Sequence, residues 1–202
     1  MNRRHTVRGP VERRPAVERK LTAGADVADL ACGCGASTIL MAEAFPNSRF
    51  VGYDHRETCI ETARRRAAET GVPDRVRFEV ASVDDYPGVY DLVTGYGFPL
   101  DTGDPVGVAR HVLGSLKPDG TWIIVEPRTA NRARDGPGPA GCPSTAGSVL
   151  VRARATQEWS GTMAIGTPAG SAWLDDVIRT AGFTRVREAA LAPFHVVLEA
   201  RP

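Results

Sequence analysis

Two carboxylates flanking a glycine turn carry the first chemical signal in this chain. Asp29-Leu30-Ala31-Cys32-Gly33-Cys34-Gly35-Ala36-Ser37-Thr38 follows an apolar run that opens at Val27. Asp54 ends a second such run, Arg49 to Tyr53, about 20 residues beyond the turn. Gly33 and Gly35 lack side chains, so a ligand can come close to the backbone. Thr38 to Phe45 has helical spacing, which turns free N–H groups and the positive end of a dipole toward the same place. A carboxylate where Asp54 stands can accept hydrogen bonds from both ribose hydroxyls of an adenosine cofactor. The plain alternative is a tight turn and a strand-end aspartate with no ligand. The two features together, at this spacing, favour the cofactor reading.

Two further loops have suitable residues. Ser82-Val83-Asp84 follows the strand expected at Val76–Val80; Ser82 can hydrogen-bond the edge of an adenine and Val83 can cover its face. Gly95-Tyr96-Gly97 follows the strand Tyr90–Thr94, where a ligand would meet the carboxyl edge of a sheet. For each, a loop residue with no ligand stays open as the alternative. No catalytic residue is assigned. His111 falls in a helix and reads as a surface or packing residue, and His195 falls in the last strand and reads as structural. Asp101 and Tyr96 lie near the same edge without a defined role; Trp159 and Trp173 read as core. Cys32-x-Cys34 has no histidine or cysteine at zinc-finger spacing, so these cysteines read as small fillers of a tight turn, and no metal site is expected.

The elements that must position these residues alternate from about 26 to 126. Strands at 49–53, 76–80, 90–94 and 121–125 are separated by helices at 57–70 and 105–116, with Lys117-Pro118-Asp119-Gly120 as a turn. This βαβ repetition implies a parallel sheet with helices on both faces. A helix from Ser171 to Ala181 and strands at 185–187 and 194–198 close the chain as an antiparallel pair. Residues 1–20, dense in arginine and proline, read as an irregular N-terminal arm, and 21–202 as one domain with an irregular insertion at about 131–170.

With 202 residues, 42% of them hydrophobic, the chain can bury one real core. A net charge of +1 gives no overall pull toward nucleic acid, and no aromatic residues interleave the N-terminal arginines. No apolar run reaches membrane-spanning length and no signal-peptide core is present, so the expected location is the cytoplasm, with neither a membrane nor a nucleic-acid partner.

Asp29-x-Ala31-x-Gly33-x-Gly35, Val51-Gly52-Tyr53-Asp54, Tyr90-Asp91-Leu92-Val93 and Leu116-Lys117-Pro118-Asp119-Gly120, in this order, resemble the class I S-adenosylmethionine-dependent methyltransferases. The pattern covers 26–126 and returns at 182–201. Ala36 to Ala42, Gly103 to Gly107 and Arg110-His111-Val112 are most similar to actinobacterial two-domain members with an N-terminal winged-helix-like domain. The resemblance implies an α/β, Rossmann-like three-layer sandwich whose seven-stranded, mostly parallel sheet has an antiparallel last strand. It implies S-adenosyl-L-methionine as cofactor and a small-molecule methyl acceptor. Asp29, Gly33 and Gly35, with Ala31 and Cys34 in the same turn, would surround the methionine end. Asp54, with His55 beside it, would hold the ribose, Ser82 and Val83 would border the adenine, and Gly95 would lie near the sulfonium.

Three departures bear on that expectation. Ala31 replaces the usual first glycine, which is tolerable if its φ is negative. Ser82 stands where an aspartate is common. Tyr96 to Asp101 lacks the acid and histidine often found there, leaving Asp101 as the charged candidate. The missing N-terminal domain and the irregular 131–156 suggest a truncated or frame-disturbed gene, so a remnant that binds cofactor without catalysis is the alternative, and an NAD-type dehydrogenase the minor one. The latter is disfavoured by Thr38, where the third glycine of Gly-x-Gly-x-x-Gly would stand.

Overall fold

The computed structural model describes residues 15–96, 103–127, 171–191 and 195–202. The expectations placed on 1–14, 97–102 and 131–170 lie outside the described residues. In chain order the elements are α1 (Pro15–Ala23), β1 (Asp26–Leu30), α2 (Ala36–Ala44), β2 (Arg49–Asp54), α3 (Glu57–Glu69), β3 (Val76–Val80), β4 (Tyr90–Tyr96), α4 (Pro105–Gly114), β5 (Leu116–Pro127), α5 (Ser171–Thr180), β6 (Arg185–Leu191) and β7 (His195–Arg201). Seven strands form one sheet in the order β3-β2-β1-β4-β5-β7-β6. The pairs from β3 through β5 are parallel, and β7 runs antiparallel to both β5 and β6. This is the three-layer sandwich expected from the βαβ repetition.

Each face of the sheet buries its own core. One cluster joins Val27, Phe50, Phe78 and Leu92 to Leu21, Ile39, Ile60 and Ala63, so α1, α2 and α3 cover that face. The other joins Ala28, Leu30, Val93 and Ile124 to Val108, Val112, Leu174 and Ile178, so α4 and α5 cover the opposite one. Side chains alternate across a strand, which is why Val27 and Ala28 enter different cores. Trp122 is fully buried among the second set, with its ring 5.5 Å from that of Phe183.

Residues 15–20, expected to be irregular, form most of α1 instead. Its proline at the first position suits a helix start, and Val17 and Leu21, four apart, share a face against the core. The Lys117-to-Gly120 turn also sits differently from expectation. It is an excursion within β5: Tyr90 pairs with Leu116 and Leu92 with Thr121, so the residues between are extra on that strand. Lys117 uses the excursion to bridge Asp91 at 2.7 Å and Asp26 at 3.1 Å, tying the starts of β1 and β4 together.

The crossing from β3 to β4 is pinned by tyrosines. The Tyr53 and Tyr90 hydroxyls lie 2.8 Å apart, Tyr90 donates to the Pro87 carbonyl at 2.6 Å, and Tyr86 meets the Ser115 hydroxyl at 2.7 Å. These contacts fix the loop that holds Ser82 and Val83.

Candidate functional site

β1 has β2 on one side and β4 on the other, and the chain visits them in opposite directions along the sheet. Such a reversal leaves a crevice beyond the carboxyl ends of the two strands. Leu30 pairs with Gly95 there, and the glycine turn departs from Leu30 into that space.

The turn is held by two backbone bonds, Cys32 N–H to Tyr53 O at 2.9 Å and Gly35 N–H to Cys32 O at 3.0 Å. Its two glycines serve different ends. At Gly33, with φ of 56°, a Cβ would meet only the Arg56 guanidinium, at 3.8 Å, so the space above the backbone is open. At Gly35, with φ of 80°, a Cβ would lie 2.6 Å from the Phe78 ring and 2.8 Å from the Ala63 Cβ. The same ring would meet a Cβ on Gly52 at 2.6 Å. Phe78 therefore fills the room that Gly35 and Gly52 vacate, and α3 seats directly against the turn.

Ala31 does not meet the condition under which alanine is tolerable there: its φ is 52°, in the left-handed region. The position keeps the geometry that favours glycine, and alanine bears strain there. Ala31 is exposed.

Asp29 is fully buried. Its carboxylate accepts hydrogen bonds from the hydroxyls of Ser37 and Thr38, each at 2.6 Å, and of Thr94 at 2.9 Å. Burial pushes its pKa above the ordinary carboxylate value, against the pull of the three hydroxyls. Asp29 thus braces β1 to β4 and to the first turn of α2, from below the glycines. Three neutral hydroxyl donors surround the carboxylate. The N-cap of α2 is Gly35, which has no side chain to cap the helix, so its N–H groups remain available to a ligand.

Asp54 is 2% exposed and stands at the rim. One oxygen accepts from the Gly33 N–H at 2.9 Å. The other accepts from the Arg56 N–H at 2.9 Å and its Nε at 3.1 Å. Burial raises the Asp54 pKa, but the hydrogen bonds and charge of Arg56, with the Gly33 N–H, outweigh it and hold the carboxyl below the usual range. The same pairing raises Arg56. Arg56 is the residue that the spacing argument missed. The Arg56 side chain is half exposed, so it can leave the carboxylate to a better partner.

The remaining expected residues divide. His55 is exposed, with Nδ1 3.8 Å from Asp54. Ser82 is half-buried and its hydroxyl donates to Asp84. Val83 is buried in the core cluster with Tyr86. Val80, 49% exposed and paired with Asp54 across the strands, is the apolar surface at the rim. Gly95 is buried between Leu30 and Ile124, at the crevice. Tyr96 stands beside it with its hydroxyl pushed up by burial and then by the Asp29 charge. His111 packs as expected: its ring meets Tyr86 edge-on at 4.6 Å and its Nε2 lies 2.9 Å from the Tyr86 carbonyl. Trp173 packs against the core and His195 is exposed at the start of β7. Asp101 and Trp159 lie outside the described residues. Among the described residues no group of three or more His, Cys, Asp or Glu is placed to hold a metal ion, and no helix is long and apolar enough to cross a membrane.

The sequence and the fold of this chain have counterparts in known proteins. A family model described as a methyltransferase domain matches residues 21–161. The chain is 42% identical over 120 residues to a trans-aconitate 2-methyltransferase of an Acidovorax species, covering 56% of this chain and 44% of that enzyme. In structure it is similar to the apo S-adenosylmethionine-dependent methyltransferase SibL, with a TM-score of 0.68 and 24% identity over 91% of this chain and 52% of that one. It is also similar to NcsB1, an O-methyltransferase of neocarzinostatin biosynthesis crystallised with S-adenosylhomocysteine and a dihydroxynaphthoic acid, with a TM-score of 0.66 and 19% identity over 87% of this chain and 48% of that one. The chain spans less than half the length of the curated relatives it matches first.

Proposed function

The chain belongs to the methyltransferase domain family, and from that premise we propose that it binds S-adenosylmethionine at the carboxyl edge of β1, β2 and β4 and transfers the methyl group to a small organic acceptor. The observation that carries this reading is the rim of the turn. Asp54, ionised and fixed by the Gly33 N–H, sits beside the open space over Gly33. An ionised carboxylate with one exchangeable partner suits a ribose diol, which donates two hydrogen bonds.

The roles follow from position. Arg56 swings from Asp54 toward solvent, and the diol takes its place on the carboxylate. Val80 and Ser82 border the base. The N–H groups opening α2, uncapped by any side chain, receive an anionic group of the ligand, and Gly33 admits it close to the backbone. Asp29 holds this frame rigid without touching the ligand. Gly95 and Tyr96, at the end of β4, flank the place where an acceptor approaches.

When bound, the cofactor supplies an activated methyl group on a sulfonium, and the protein's part is alignment of the two reactants. A base is needed only where the acceptor must lose a proton. The small-molecule class of acceptor is supported by the trans-aconitate and naphthoic acid relatives. The test is incubation with methyl-labelled S-adenosylmethionine and a panel of hydroxylated aromatic and small carboxylic acids. Label in a small product supports the reading. Label only in protein or nucleic acid, under conditions where the cofactor binds, refutes the acceptor class.

A further inference from the structure

The last two strands carry a charged cluster that the cofactor reading leaves unused. β6 and β7 pair antiparallel, with Arg185 opposite Arg201 and Arg187 opposite Glu199. Side chains alternate across a strand, and Val186, Leu198 and Ala200 join the core under α4 and α5. The three arginines and Glu199 therefore share the other face of the sheet. The core cluster on that face includes no residue of β6. A cavity of about 380 Å³ opens beside them, lined by Arg179, Thr184, Arg185, Arg187, Glu199 and Arg201. Its volume falls in the range of small-molecule sites, roughly 300–1,000 Å³.

One buried acid organises the cavity wall. Glu199 is 4% exposed; one oxygen meets the Arg187 Nη2 at 2.8 Å and the other the Arg201 Nη2 at 2.9 Å. Arg179 arrives from α5, with its Nε on Asp175 at 2.7 Å and its Nη2 donating to the Val186 carbonyl at 3.3 Å. Arg185 donates to the Pro202 carbonyl at 3.3 Å, which also accepts from the Thr184 hydroxyl at 2.9 Å.

This arrangement leaves donors and charge in surplus. Each guanidinium carries five N–H donors. Among the described residues, Arg185, Arg187 and Arg201 each spend one nitrogen on the contacts above, and the buried Arg201 Nε has no partner. Four guanidiniums face two side-chain carboxylates, Glu199 and Asp175. Both Glu199 oxygens are taken, so Arg185 stands opposite Arg201 with no carboxylate of its own among the described residues. Like charges directly opposite each other weaken a strand pair.

We propose that this cavity binds a phosphate-type oxyanion, as the free ion or as a monoester. The planar guanidinium forks match phosphate oxygens. The anion bridges Arg185 to Arg187 and Arg201, and the opposed pair then shares a partner. A nucleic acid or an anionic membrane needs a longer basic track. Here Asp176 of α5 and Glu188 of β6 are exposed close in sequence to Arg179 and Arg187. Charge alone would guard the edge strand β6 against pairing with another chain. Convergence from α5, β6 and β7 on one concave place is what a small anion needs. Ala200, beside Arg201, pairs with Trp122, whereas the carboxyl end of β5 pairs with His195. The anion site therefore lies toward the amino edge of the sheet, away from the crevice, and does not rest on the cofactor reading.

The experiment is calorimetric titration of the full chain with inorganic phosphate, pyrophosphate and phenyl phosphate at low salt, against sodium chloride of equal ionic strength. Binding is expected, weakened at least about tenfold by Arg185→Gln. Arg110→Gln, which removes an exposed charge on α4, is expected to bind as the wild type does. Arg187→Gln is the second cavity variant, with circular dichroism confirming that each variant folds. Phenyl phosphate bound as well as inorganic phosphate supports the monoester, and inorganic phosphate bound alone supports the free ion. No binding of any phosphate by the folded wild type overturns the proposal. So does an equal loss in Arg185→Gln and Arg110→Gln, which would make net charge the cause. Binding untouched by both cavity variants overturns it too, because the anion then sits elsewhere, as at the start of α2. Binding of a single-stranded oligonucleotide without binding of the small phosphates overturns it in favour of a polyanion.

Discussion

The floor and the rim of the glycine turn each hold one aspartate out of water, and the two carboxyls shift in opposite directions. Asp29 on the floor receives three hydroxyls and is pushed up. Asp54 on the rim receives two backbone N–H groups and one guanidinium and is held down. Burial acts upward on both. The difference is that Arg56 carries a full charge, whereas Ser37, Thr38 and Thr94 offer only dipoles. A carboxylate clamped by neutral donors inside the protein is a brace. One neutralised by a half-exposed arginine keeps its charge and can change partner, and that is what a ligand site needs.

The comparison breaks most visibly at the floor. Asp29→Ala orphans the buried hydroxyls of Thr38 and Thr94 and the half-buried one of Ser37, opens a void, and is expected to cost about 3–5 kcal/mol of stability in urea unfolding. Asp54→Ala, with its main partner free to enter water, is expected to cost far less. Equal losses would remove the distinction between brace and site. Next in size is Gly35→Ala, which forces a Cβ against Phe78 and Ala63 at a left-handed φ. A loss of about 2–4 kcal/mol is expected from strain and overpacking.

The pH dependence sharpens the contrast through its sign. The folded pKa of Asp54 lies below its unfolded value of about 3.9, so its contribution is full above that pH and is lost as pH falls through the folded value. For Asp29 the folded pKa lies above the unfolded one. Its ionisation opposes folding, and that penalty fades as pH falls from the raised value toward about 4. Relative to Asp54→Asn, the wild type should lose stability in acid; relative to Asp29→Asn, it should gain. Urea midpoints of the three proteins across the acid range decide this, and two differences of the same sign would contradict the account. The smallest effect is a gain. Ala31→Gly relieves a φ of 52° at an exposed position and is expected to stabilise by about 0.5–1 kcal/mol, net of the added chain entropy of glycine.

Much of this was legible in the residues because it is local. Strands that alternate, a glycine turn, and an aspartate at the end of the next strand are written in neighbouring positions. The misses are nonlocal or masked. Arginine density hid the Val17–Leu21 face of α1. The seat of Phe78 under two glycines requires β3, β2 and α2 to be assembled first, and Val80 becomes the rim's apolar surface only once β3 is registered against Asp54. The Asp29 brace joins residues of β1, α2 and β4, with Thr94 supplied from 65 positions away. Its acid was visible, but its direction was not. Ala31 shows the limit of residue type as a guide to conformation, because the turn imposes φ on whichever residue stands there.

The central claim is that Asp54 is the ligand-facing carboxylate, and calorimetric titration of the protein with S-adenosylhomocysteine, beside Asp54→Ala, tests it most directly. The account predicts binding by the wild type and a loss of about 10- to 100-fold in the variant, the worth of hydrogen bonds to a charged group. No binding by the folded wild type, or equal binding by the two, would contradict it.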